Sequence, residues 1–396
     1  MPGVVRISRN LASDDGWLSS SFANTDMYMK PKAVHISIGG RPIVTLMRPE
    51  PKNGSAPQFL EATVLPGRGM NLLQVRAHIP GMGAVDLINA PSAADAKQAL
   101  EHPNDPFGNK GFSMGSAFLL PYPNRIRGKL SADGKTIATM IAGKEMHLPA
   151  NWQGKNPNAE IHAIHGLILT SQFNHVEYHN GVAASTVSAR LHGGDFGGHW
   201  CSKTDASVRI VLKNRALDLT VKAKNAGKEI LPMGIGFHPY FRFPSGDRSQ
   251  IRLHLPAKQR AVVNNCDDVF PTGELEAAKG TPYDFTRTGG APLGRTLFMD
   301  DCFTDLQRNA AGNAVAEVTD PAAKYGMRIT ALSPQIKAVQ VYAPPDKQFI
   351  AVEPQFNLAD PFNAKIWGQR NTGMISLRPG QSLAWRVRLE LFIPRA

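Results

Sequence analysis

Trp385-Arg386-Val387-Arg388-Leu389-Glu390-Leu391 alternates apolar and charged residues without interruption. In an extended chain successive side chains point to opposite faces. This stretch therefore sets Trp385, Val387, Leu389 and Leu391 on one face and its charges on the other. That is the signature of an antiparallel strand with one face in a core and one in water. The same period recurs in Ile251-Arg252-Leu253-His254-Leu255, in Leu219-Thr220-Val221-Lys222-Ala223 and, less strictly, in Val208-Arg209-Ile210-Val211-Leu212-Lys213. Val34-His35-Ile36-Ser37-Ile38 runs into Gly39-Gly40, a hairpin-turn signal. Residues 325–330 and 338–342 are further strand candidates. One short helix is expected over residues 92–100, with Ser92 as its cap, Asp95 in the first turn and Pro103 beyond its end.

No strand alternates with a long helix, which excludes doubly wound and α/β-barrel architectures. With 36 Gly and 30 Pro in 396 residues, and only 19% charged residues, the chain suits many short strands joined by turns. The expected fold is all-β with few short helices. Residues 1–30, polar and Ser-rich, read as a loosely ordered leader, and residues 31–396 as a single β domain.

The net charge of +12 raises the question of a nucleic-acid partner. The basic residues are dispersed, and neither zinc-finger spacing nor an aromatic RNA-binding box occurs, so no nucleic acid is expected. Cys201, Cys266 and Cys302 are too few and too scattered for a disulfide framework. No apolar run reaches the ~18 residues of a membrane span. The N-terminus lacks a secretory apolar segment, which makes the cytoplasm the default compartment, or the periplasm or exterior if a signal was removed. Oligomeric state is left open.

Three signals mimic chemistry. Gly111-Phe112-Ser113-Met114-Gly115 matches a nucleophile elbow, but that motif needs a strand before the serine and a helix after it. Prolines crowd both sides here, at Pro106, Pro121 and Pro123. The pairs His162/His165, His175/His179 and His192/His199 have metal-like spacing. In a strand-rich chain such residues do not meet on one face as they would on a helix, so they read as surface or loop histidines, and no metal is expected. Gly193-Gly194-Asp195-Phe196-Gly197-Gly198 lacks the Lys-Ser/Thr of a phosphate loop. It reads as a flexible loop, with residues 195–200 near a binding groove.

Two segments carry more. Gly236-Phe237-His238-Pro239-Tyr240-Phe241 holds a histidine stiffened by proline within an aromatic wall. Val352-Glu353-Pro354-Gln355 ends an apolar run in a carboxylate, which is costly to bury unless paired. His238 is either a proton-transfer group near neutrality or a core histidine among aromatics. Glu353 is either a general base or a salt-bridged glutamate.

Pro121-Tyr122-Pro123-Asn124-Arg125-Ile126 resembles the P-x-x-N-R-I segment of the aldose 1-epimerase (galactose mutarotase) family. Ile164-His165-Gly166, the His238 and Glu353 segments, and Met299-Asp300-Asp301-Cys302-Phe303 resemble four more of its segments, all in the family's order. Leu167, where a second glycine is usual, and Pro239 depart from the pattern. The resemblance implies a large antiparallel β-supersandwich with a monosaccharide in an open groove. It implies His238 and Glu353 as catalytic acid and base, Arg125, His165, Asp300 and Asn124 as sugar-binding residues, and no cofactor. Three rivals share some of these features. They are a hexose-6-phosphate epimerase on the same scaffold, a non-catalytic glycan-binding protein and, less well matched, a glycosidase, which would call for two carboxylates.

Overall fold

The computed structural model describes residues 36–51, 54–101 and 103–394. The expected leader, residues 1–30, lies outside these, as do Val34 and His35. The alternating stretch forms the strand Ser382–Phe392, with Trp385, Val387, Leu389 and Leu391 buried. This strand is the middle member of a nine-stranded antiparallel sheet, between Ala216–Asn225 and Tyr325–Ala331. Thr204–Leu212 and Arg252–His254, also anticipated from alternation, belong to the same sheet.

A seven-stranded antiparallel sheet packs against it. Its strands run in space Pro271–Ala277, Ala257–Val263, Met299–Leu306, Ala338–Ala343, Phe349–Gln355, Gly236–Arg242 and Ser116–Leu119. Phe118 and Phe237 meet Trp385 at ring-centroid distances of 6.3 and 6.2 Å. The Trp385 indole N–H donates to the Pro354 carbonyl at 3.2 Å. The tryptophan of the alternating stretch thus braces the strand that carries Glu353. A four-stranded sheet, Val44–Met47 to Gly83–Asp86, flanks this sandwich.

The hairpin signal is real, since Ser37–Ile38 pairs with Arg41–Pro42 around Gly39 and Gly40, both at positive φ. A Cβ on Gly39 would stand 2.2 Å from the Gly67 carbonyl oxygen, so only glycine fits. The expected helix is Ala93–Leu100, capped by Ser92, whose hydroxyl accepts from the Asp95 N–H. The three cysteines are free, with Cys201 and Cys302 buried and Cys266 exposed. Among the described residues no helix is long and apolar enough to cross a membrane.

The loop expected near a groove is elsewhere. Trp200 is buried, stacks on Tyr122 at 5.5 Å and donates to the Pro232 carbonyl. The indole anchors the end of residues 195–200 into the core.

Candidate active site

Strand register builds the site. Gly236 pairs with Gln355 and Tyr240 with Ala351, so His238 lies opposite Glu353. On the next strand Gln340 pairs with Glu353 and Tyr342 with Ala351, and on the one after that Asp300 pairs with Tyr342. One face of the seven-stranded sheet therefore presents a row His238–Glu353–Gln340. A second row, two residues along, runs Tyr240–Ala351–Tyr342–Asp300. Period-2 geometry turns Phe237 and Phe241 to the opposite face, where they join the sandwich core. They do not form the expected wall around His238. Tyr240 does, stacked on the imidazole at 4.8 Å, and Phe112 closes the other side at 6.0 Å.

Two loops cover this face. Arg125 and Ile164 pair in a short ladder, and the adjoining Asn124 and His165 both have φ in the left-handed region, at 65° and 61°. Such backbone costs non-glycine residues energy and persists only when its surroundings hold it. The hold is mutual. The His165 N–H donates to the Asn124 carbonyl at 3.0 Å, and the Asn124 N–H donates to His165 Nδ1 at 3.3 Å. With Nδ1 accepting, the neutral imidazole carries its proton on Nε2. Gly166 is required next, because its φ is 81° and a Cβ would stand 2.3 Å from the Leu120 carbonyl oxygen.

Rows and loops enclose a cavity of about 520 Å³ lined by His238, Glu353, Arg125, His165, Asp300 and Gln340, with Trp152, Phe298 and Tyr342 among its aromatic walls. His238 Nε2 stands 3.3 Å from Glu353 Oε1, with both side chains buried. Glu353 Oε2, His238 Nδ1 and Arg125 Nε are buried without a hydrogen-bond partner. Unsatisfied buried polar atoms are costly, and these three belong to residues that line the cavity.

The Arg125 guanidinium donates to Asp300 Oδ2 at 2.9 Å. Gln340 donates to Asp300 Oδ1 at 2.6 Å and accepts from the Asn124 amide at 2.9 Å. Asn124 also accepts from the Arg125 N–H. Its side chain is spent on protein partners and does not line the cavity, so Asn124 holds Arg125 and Gln340 in position.

Burial sets the electrostatics. It pushes the His238 imidazole down to about 3, and Arg125 adds to the fall. It raises the Glu353 carboxyl well above the usual glutamate range, with Asp300 adding and Arg125 opposing. His165 is held far below its ordinary value, by burial first and then by His238 and Arg125. Between the lowered His238 value and the raised Glu353 value, the pair thus holds one proton. The uncharged arrangement is favoured by desolvation, and the ion-paired tautomer by the short contact.

Gln340, Tyr342, Phe112 and Trp152 belong to this site and were not singled out from sequence. Gln340 had a signal, as a lone amide inside the apolar strand Ala338–Ala343. Ser113, by contrast, ends the helix Asn109–Ser113, with the strand Ser116–Leu119 following, the reverse of a nucleophile elbow. Its hydroxyl donates to the Lys110 carbonyl. His162, expected at the surface or in a loop, is fully buried, with Nδ1 on the Glu160 carbonyl at 2.9 Å. Among the described residues no cluster of His, Cys, Asp or Glu could hold a metal ion.

Comparison with known proteins agrees with this architecture. A galactose mutarotase-like protein from Clostridium acetobutylicum superposes with a TM-score of 0.67 at 19% identity, covering 89% of this chain and 98% of that one. An aldose epimerase homologue from C. elegans gives 0.64 at 16% identity, with 89% and 99% covered. Galactose 1-epimerase from Lactobacillus acidophilus NCFM gives 0.60 at 16%, again with 89% and 99% covered. At these identities the likeness is one of fold. No curated protein matches the chain. The sequence profile described as aldose 1-epimerase matches residues 74–390, a span that contains all six anticipated site residues. The chain belongs to the aldose 1-epimerase family.

Proposed function

We propose that this protein interconverts the α and β anomers of a free, uncharged hexose of the glucose or galactose type. The observation that carries this reading is the 3.3 Å contact between His238 and Glu353 on the cavity floor, beside buried polar atoms that lack partners. In the ion-paired tautomer Glu353 takes the proton of the anomeric hydroxyl. C1–O5 breaks as the C1 carbonyl forms, and His238 delivers its proton to O5. The C1–C2 bond rotates, and closure on the other carbonyl face runs the same transfers backwards. The pair ends with the one proton it began with, so the cycle needs no cofactor. Each positioned acid or base contributes about 10²–10⁴ in rate.

Arg125, Asp300 and His165 would fix the ring hydroxyls. Charge-assisted hydrogen bonds are the stronger ones, and His165 offers a neutral Nε2–H donor. Neutrality of the substrate follows from how the cations are used. Arg125 is paired with Asp300, and Arg127 with Glu160. The cavity lining carries Lys155, but with Asp267 alongside it in the lining. A phosphate would face no dedicated positive cluster. Mutarotation rates on glucose and glucose 6-phosphate test this choice. Preference for glucose is expected, and preference for the phosphate ester would overturn it.

A further inference from the structure

The charged face of the nine-stranded sheet looks away from the cleft, on the far side of the sandwich. Strand register sets out an array there. Arg190 pairs with Ser207 and Ser207 with Lys222, while Ser188 pairs with Arg209 and Arg209 with Thr220. Thr220 in turn pairs with Arg386. All occupy the alternate positions that turn out of the core, and Arg190, Arg209, Lys222 and Arg386 are exposed. By strand geometry the backbones of Arg190 and Lys222 stand on the order of 10 Å apart with Ser207 between them, and Arg209 lies about 7 Å along from Ser207. A shallow groove of about 220 Å³ runs between these side chains.

Elsewhere on this face the charges are matched. Asp218 takes both Lys213 and Arg388, and Glu317 takes Arg328. Arg190, Arg209, Lys222 and Arg386 have neither an ion pair nor a side-chain hydrogen bond among the described residues. One carboxylate, Glu177, lines the groove at its edge-strand end, opposite Ser188, and is too little to balance them. Like charges about 10 Å apart are not fully screened at physiological salt, so a repeating anion would relieve their repulsion. The groove is smaller than the ~300–1,000 Å³ of a small-molecule pocket, which suits an occupant lying along the surface. These rows hold no aromatic ring on which a nucleic-acid base could stack. They hold no exposed large apolar side chain to enter a lipid surface. Hydroxyls alternate with cations instead, and the guanidinium fork matches a planar carboxylate.

We infer that this face binds an acidic polysaccharide of the polyuronate type, laid across the strands. Arg190, Arg209, Lys222 and Arg386 meet its carboxylates, and Ser188, Ser207 and Thr220 meet its ring hydroxyls. Part of the net charge of +12 thereby acquires a location and a use. The surface is separate from His238 and Glu353, so it stands or falls independently of anomer exchange in the cleft. A chain held there leaves the cleft, on the opposite side of the sandwich, open to free sugars.

The test is fluorescence anisotropy of a labelled oligogalacturonate with the full chain at low ionic strength. One variant combines Arg190→Gln, Arg209→Gln and Lys222→Gln. A control combines Lys129→Gln, Lys279→Gln and Lys365→Gln, which removes the same charge from exposed positions off this sheet. The wild type should bind, and the first variant should bind about tenfold more weakly, each exposed charge contributing a few-fold. The control should stay near wild type, and all three proteins should share one circular dichroism spectrum. If the combined variant does not fold, Arg209→Gln alone carries the test, with a loss of a few-fold expected and no loss counting against the inference. Absence of wild-type binding, or equal weakening in variant and control, would overturn it, the latter showing attraction by net charge alone. Tighter capture of a single-stranded oligodeoxynucleotide or of phosphatidylserine vesicles at the same ionic strength would also overturn it, in favour of a nucleic acid or a lipid surface.

Discussion

His238 and Glu353 oppose each other across adjacent antiparallel strands, where the register is the same on either side of Pro239, Gly236 with Gln355 and Tyr240 with Ala351. Proline has no N–H to give the ladder, yet the strand is not an edge. Ser116–Leu119 continues the sheet beyond it, pairing His238 with Ala117. The two smallest neighbours of the pair on this face, Ala117 and Ala351, leave room above the sheet for a ring. Tyr240 and Phe112 confine the imidazole from its two sides. Acid and base are thus held by backbone pairing and aromatic packing, without reliance on a mobile loop.

Arg125 is the residue whose loss should appear in binding. Its guanidinium bonds Asp300 at 2.9 Å, and its Nε is buried without a partner. Arg125→Ala removes a charge-assisted contact of about 1.5–3 kcal/mol, so kcat/KM should fall roughly 10- to 100-fold. Steady-state kinetics on glucose checks this. Unchanged KM and turnover would remove Arg125 from the sugar site.

The pH profile follows from the one-proton pair. Below the folded value of about 3 for His238 the pair gains a second proton and has no base. Above the raised value of Glu353 it loses its only proton and has no acid. Activity should therefore show no loss as pH falls through the ordinary histidine value near 6.5 toward pH 5. A fall in kcat/KM centred near pH 6.5 would contradict the assignment.

His162 lies outside the cleft and should act on stability alone. Burial, chiefly, lowers it from 6.5 to about 4. Its folded value is below its unfolded value, so the unfolded chain binds the proton first as pH falls. The stability it contributes is full above about 6.5 and is lost on the way down to 4, at up to about 1.4 kcal/mol per pH unit. His162→Asn keeps a donor for the Glu160 carbonyl and cannot titrate. Urea unfolding of wild type and variant should diverge by roughly 2–3 kcal/mol between pH 7 and pH 4, and parallel curves would refute this.

Much of the fold was legible because half-buried strands write their orientation into the residue order, as Ser382–Phe392 does. Phe349–Gln355 is buried along its whole length, on one face by the sandwich and on the other by the cleft. It shows no alternation, so its partner and register could not be read. That is why Glu353 and His238 were recognisable singly while their opposition was not. The strand of Gln340 and Tyr342 was anticipated, but its register against Glu353 was hidden for the same reason. The aromatic wall was half misassigned because Phe237 and Phe241 sit at odd steps from His238, on the far face. The expectation for residues 195–200 failed because nothing in the local order told a pocket rim from a loop pinned by Trp200.

The central claim is that Glu353, with His238, moves the proton that opens and closes the ring. Optical rotation of freshly dissolved α-glucose, followed with wild type, Glu353→Gln and His238→Asn at matched concentration, tests it most directly. The wild type should speed relaxation to the same final rotation, and each variant should lose about 10²- to 10⁴-fold with an unchanged circular dichroism spectrum. A wild type that does not alter the relaxation, or a folded Glu353→Gln that keeps near wild-type rates, would contradict it.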